Sequence, residues 1–129
     1  PDLLANARGE EMVFVLLGNG DGSFRRSVPI KTGKVPLNVI LADFNNDKKL
    51  DAAVTLTFDK MEIYIGSGDV YFKKGGTYLT GSRSFSGVTE DFNGDGKVDI
   101  VAGGRATHDV NLYLNQTPRN PETRLSPQN

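Results

Sequence analysis

Residues 91–99 read DFNGDGKVD, and 48 positions earlier residues 43–51 read DFNNDKKLD. The same offset places Gly18 on Gly66, Phe24 on Phe72 and Arg25-Arg26 on Lys73-Lys74. Beyond the second acidic patch the match continues with one extra residue, so VFVLLG (13–18), MEIYIG (61–66) and VNLYLN (110–115) are three copies of one segment. Repetition at this period restricts the fold to stacked units, each one supersecondary element that buries its apolar face on a neighbour.

In the second and third copies, Met61, Ile63, Ile65 and Val110, Leu112, Leu114 alternate with Glu62, Tyr64 and Asn111, Tyr113. Period two marks a half-buried strand. Apolar runs stand before each patch (LNVILA, 37–42; FSGV, 85–88) and directly after it (LDAAVTL, 50–56; VDIVAGG, 98–104). After the alternating strand come a turn and an aromatic-led fourth segment, GSFRRSV (22–28) and VYFKKGG (70–76). Each unit therefore reads as four short strands, no stretch keeps a helical period, and the predicted class is all-β. Four strands in about 40–50 residues is the size of a four-stranded antiparallel β-propeller-type blade. Pro29 falls in a fourth strand, where its missing N–H is tolerated at a sheet edge.

Alignment also puts Asp2 on Asp51 and Asp99, the last acid of each patch. The expected organisation is about two and a half repeats: strands two to four of a first in 1–36, a complete second in 37–84, a partial third in 85–115, and a polar, proline-containing tail in 116–129. A propeller needs about four blades to close. The expectation is either a piece of a longer chain or a subunit completed by its neighbours.

Composition narrows the partners. A net charge of −1 with no basic run lacks the positive stripe that nucleic acid requires. No run of 18 apolar residues is present for a membrane-spanning helix, and the opening PDLLANARGEE has no apolar signal core. With zero cysteines, disulfides and thiolate metal sites are excluded.

Within the second patch Asp91, Asn93 and Asp95 stand at positions one, three and five, Gly96 at six, Lys97 at seven and Asp99 at nine. In a tight loop the alternate side chains converge, residue seven offers its carbonyl, and the last carboxylate closes a cage of hard oxygen donors suited to calcium. Glycine at six permits the positive φ of a sharp turn. The first patch offers Asp43, Asn45, Asp47, Lys49 and Asp51, with Lys48 in place of that glycine, and is expected to be the weaker site. An EF-hand is excluded, because position twelve is Ala102 or Val54 instead of glutamate. The competing reading is a pair of β-turns that favour Asn, Asp and Gly for local reasons. Phe44 and Phe92, at position two, are expected to pack beneath the hairpins.

The segments DFNGDGKVDIVAGG, VNLYLN and LLGNGDGSF resemble the VCBS/FG-GAP repeats over roughly residues 1–117. That resemblance implies blades of an integrin-alpha-like β-propeller, with structural calcium in the hairpin between the first two strands, carried here to Asp43, Asn45, Asp47, Lys49 and Asp51 and to Asp91, Asn93, Asp95, Lys97 and Asp99. It also implies an extracellular or cell-surface protein used in adhesion, carbohydrate binding or assembly. Lys48, and SGDVYF in place of the glycine-rich turn, depart from the family pattern.

Other motifs have simpler readings. GNGDGSF (18–24) lacks a P-loop lysine and reads as a hairpin turn. His108, the single histidine, has no cysteine nucleophile or second histidine as a partner in the sequence and reads as a solvated loop residue. Arg25-Arg26 and Lys73-Lys74 mark either an anionic-ligand face or strands that discourage edge pairing. Asn115-Gln116-Thr117 is a glycosylation sequon. The expected function is a non-catalytic, calcium-stabilised binding or adhesion module for protein or glycan. The alternatives are a self-assembling structural subunit of a ring or filament, and an accessory region of a larger exported enzyme.

Overall fold

The computed structural model describes residues 1–80, 84–104, 108 and 110–118; the tail expected at 116–129 lies outside the described residues from 119 onward. Eleven strands and no helix occur among the described residues. They form three antiparallel sheets.

The first sheet orders β1 (Leu3–Ala7), β2 (Met12–Gly18) and β3 (Phe24–Arg26), with β4 (Ile30–Lys31) also on β2. Its fourth strand is thus split in two, interrupted at Ser27–Pro29, where proline has no N–H to give the ladder. The second sheet runs β5 (Pro36–Ala42), β6 (Asp51–Leu56), β7 (Lys60–Gly66) and β8 (Phe72–Leu79) in chain order. Its register shifts between Ile63 and Tyr64, so Gly75 is skipped near the point where the first sheet breaks. The third sheet is β9 (Ser84–Glu90), β10 (Asp99–Gly104) and β11 (Val110–Tyr113), with β10 central.

Alternation along each strand assigns its two faces to two neighbours. Val13, Val15 and Ile30 of the first sheet pack with Ala52, Val54, Leu56 and Tyr64 of the second. On its opposite face the second sheet packs Ile40, Ala42, Phe44, Ala53 and Met61 against Ile100, with Val98 and Tyr113 at the margin. The second sheet is therefore covered on both sides, and all six residues of β6 are buried.

A polar cluster also joins the first two sheets. Glu62 is buried, accepts from Gly33 N–H at 2.8 Å, lies 2.6 Å from the Tyr64 hydroxyl and pairs with Lys74. Burial pushes the carboxyl up, but the bonds from Lys74, Tyr64 and Gly33 together outweigh it and hold the carboxyl below its ordinary range. Arg26, in the place of Lys74, instead lies over the Phe14 ring, 4.5 Å from its centroid. One member of each basic pair, Lys74 and Arg26, thus has a specific intramolecular partner besides its position on an outer strand.

Candidate metal centre

Both acidic loops join the first two strands of a sheet, β5 to β6 and β9 to β10. In the second, Asp91 Oδ1 accepts from Gly94 N–H (2.8 Å) and Asp95 N–H (3.1 Å), and Oδ2 accepts from Gly96 N–H (2.7 Å). Asn93 Oδ1 accepts from Asp95 N–H at 2.9 Å, and Asp95 Oδ1 from Lys97 N–H at 2.9 Å. The first loop repeats this pattern except for the bond from position four: Asp43 accepts from Asp47 and Lys48 N–H at 3.1 and 2.7 Å, Asn45 from Asp47 N–H at 3.0 Å, and Asp47 from Lys49 N–H at 2.9 Å. These successive side-chain-to-backbone bonds wind positions one to seven into one turn. Gly96 N–H foremost holds Asp91 below the usual carboxylate range, and the bonds from Gly94, Asp95 and Asn93 add to it against the opposing effect of desolvation.

Two left-handed residues make the winding possible, at positions four and six. They are Gly94 (φ 74°) and Gly96 (φ 78°) in the second loop, and Asn46 (φ 63°) and Lys48 (φ 67°) in the first. Position six was legible from glycine in the sequence. Position four was not, although Asn and Gly are both residues that tolerate that region.

The ninth-position aspartates have partners that spacing alone does not reveal. Asp51 Oδ2 accepts from Phe44 N–H and its Oδ1 from Gly66 N–H, both at 2.9 Å. Asp99 likewise accepts from Phe92 N–H at 3.1 Å and Asn115 N–H at 2.8 Å, and Asp2 from Gly18 N–H at 2.9 Å. In all three units this aspartate fastens the start of the second strand to the end of the third. Burial pushes Asp51 up, over the opposing bonds from Gly66 and Phe44 and reinforced by the charges of Asp47 and Asp43.

Glycine faces the fastening residue for a steric reason: a Cβ on Gly66 would lie 2.1 Å from the Leu50 carbonyl oxygen, and one on Gly18 2.1 Å from that of Pro1. The third unit has Asn115 there. Its Nδ2 donates to Phe44 O at 2.8 Å and Val98 O at 3.1 Å, linking the second and third sheets. That nitrogen is the atom an N-glycan would take.

Phe44 is 8% exposed and belongs to the core, whereas Phe92 is 45% exposed. The expected packing of Phe92 beneath its hairpin is thus not observed. Phe44 is covered by the third sheet, and no described sheet covers Phe92. His108 is exposed with φ 56°, at the turn position that Glu11 (55°) and Asp59 (53°) hold in the other units.

A model of the FG-GAP-like repeat matches residues 1–54 and again 43–102. The chain belongs to the FG-GAP-like repeat family. Its three sheets are FG-GAP-like blades of an open stack, with no closed propeller among the described residues. No curated protein and no solved structure matches the chain.

The donor chemistry of these FG-GAP loops suits a hard cation, since only carboxylate, amide and carbonyl oxygens are offered. Among the described residues no three carboxylates or imidazoles already converge as a metal cluster. The reason is visible in the bonds: Asp51 and Asp99 reach toward the strand ends, and position three is an amide. Each carboxylate oxygen of Asp51 and Asp99 retains a second lone pair beyond its backbone bond.

Proposed function

We propose that the chain is a non-catalytic, calcium-stabilised binding module of an extracellular or cell-surface protein, recognising a protein or a glycan. The observation that carries this reading is the duplicated winding of the acidic loops, in which the side chains at positions one, three and five accept backbone bonds from residues five, six and seven in both copies. Calcium would be held by Asp91, Asn93, Asp95, the Lys97 carbonyl and Asp99, and in the weaker site by Asp43, Asn45, Asp47, the Lys49 carbonyl and Asp51. When bound, the ion supplies charge neutralisation, offsetting the repulsion of carboxylates crowded in one turn. It stabilises the folded form by linkage, about 2.7 kcal/mol at a hundred times the dissociation constant.

The structural explanation of His108 as a left-handed turn residue supports the non-catalytic reading, as does the general use of FG-GAP-like repeats as structural and binding modules. Their typical occurrence in extracellular and surface proteins supports the location. A groove of about 800 Å³ between the second and third sheets, lined in part by Met61, Ile63, Ile65, Tyr78 and Tyr113, offers an apolar and aromatic surface to a ligand.

Thermal unfolding in calcium and in chelator tests the reading, with Asp95→Ala and Asp47→Ala as variants. Calcium should raise the midpoint of the intact chain, and Asp95→Ala should remove more of that rise than Asp47→Ala. Equal midpoints in calcium and chelator would exclude a structural calcium site.

A further inference from the structure

The third sheet displays, exposed, the surface that the second sheet buries. Ile40, Phe44, Ala53, Met61 and Ile63 form the face on which the third sheet packs. The repeat offsets convert them to Val88, Phe92, Val101, Val110 and Leu112. Strand register aligns Val88, Val101 and Leu112 in one row, as it aligns Ile40, Ala53 and Ile63. Val110 is 72% exposed, Val88 61% and Leu112 51%. One departure is Glu90, which stands where the second sheet has Ala42.

The complementary surface lies at the opposite end. In the third sheet, Ile100 pairs with Tyr113 and Ala102 with Asn111 on the face that covers the second sheet. In the first sheet the same pairings are Leu3 with Leu16 and Ala5 with Phe14. Leu3 is 47% exposed, Ala5 is exposed, and Phe14 and Leu16 are half-buried. The molecule therefore carries both halves of a packing that it already uses twice, between its first and second sheets and between its second and third.

We infer that a second copy of this chain docks its first sheet on the third sheet, head to tail, repeating the internal sheet-to-sheet packing. The occupant follows from continuity: the free first-sheet face is the repeat equivalent of the face that already covers Ile40 and Met61. Such an interface is heterologous, so every docked pair keeps one free half at each end. Growth continues until the rotation closes a ring, or runs on as a filament. The inference stands independently of calcium binding.

Sedimentation velocity over a concentration series tests it, using the whole chain in chelator and in calcium. The intact chain should form species larger than a monomer as concentration rises. Val110→Asp blocks the third-sheet half and Leu3→Asp the first-sheet half, so each variant alone should remain monomeric with an unchanged far-ultraviolet spectrum. Mixed together, they retain one good half each and should form a one-to-one dimer that grows no further. A monomeric intact chain, association that survives either single variant, or a mixture that stays monomeric would each overturn the proposal. Should either variant misfold, Val88→Lys and Ala5→Lys make a second pair on the same two faces, subject to the same outcomes.

Discussion

Loops 43–51 and 91–99 are wound by nearly the same hydrogen bonds through different residues. The second uses Gly94 and Gly96 at its two left-handed positions, and the first uses Asn46 and Lys48. A residue with a Cβ held in that region costs roughly 1–2 kcal/mol, least for asparagine. Their surroundings differ in the opposite sense. The first loop lies against the third sheet, with Phe44 in the core, whereas Phe92 of the second is exposed. Together these differences separate two properties of the repeated motif: the second loop has the less strained turn, which favours it in the proposed calcium binding, and the first carries more of the fold.

The largest test of that separation removes the fastening aspartates. Asp51→Ala strands the N–H groups of Phe44 and Gly66, both buried residues, and should cost about 3 kcal/mol in urea unfolding. Asp99→Ala strands those of exposed Phe92 and half-buried Asn115, where water can replace the carboxylate, so about half that loss is expected. A larger loss for Asp99→Ala would refute the assignment of structural weight to the first loop.

A smaller effect, outside both loops, provides a control. Glu62 is held below its ordinary value of 4.5, so it adds stability above that pH that disappears as acid takes the pH down through its folded value. Glu62→Gln should cost about 2 kcal/mol at neutral pH and flatten this acid loss equally in calcium and in chelator. An acid loss from Glu62 seen only with calcium would mean that the loops and the sheet interface are coupled. The smallest expected change is Lys48→Gly, which relieves one left-handed side chain and should stabilise the chelated chain by about 1 kcal/mol, read from the urea midpoint. No gain would mean that the lysine's conformation is offset by contacts of its own.

Much of the fold was legible because strands expose their period directly. The alternation in 61–65 and the repeat offset foretold β7 and β11 and the class of the chain. The split between β3 and β4 was less legible, since Pro29 announces an edge but not an interruption. In the candidate site, positions one, three and five could be read from spacing. The second role of Asp51 and Asp99 could not, because their partners Gly66 and Asn115 are 15 and 16 residues away and only strand pairing brings them near. Phe92 misled for a related reason: its repeat partner Phe44 is buried by a neighbouring sheet, which position within a unit does not encode.

Calorimetric titration of calcium into the intact chain, Asp95→Ala and Lys48→Gly addresses the unequal pair of sites most directly. Two sites of different affinity are expected in the intact chain, with the tighter lost in Asp95→Ala and the weaker brought closer to it by Lys48→Gly. Absence of binding heat at several temperatures, or loss of the weaker site in Asp95→Ala with the tighter one intact, would contradict the account.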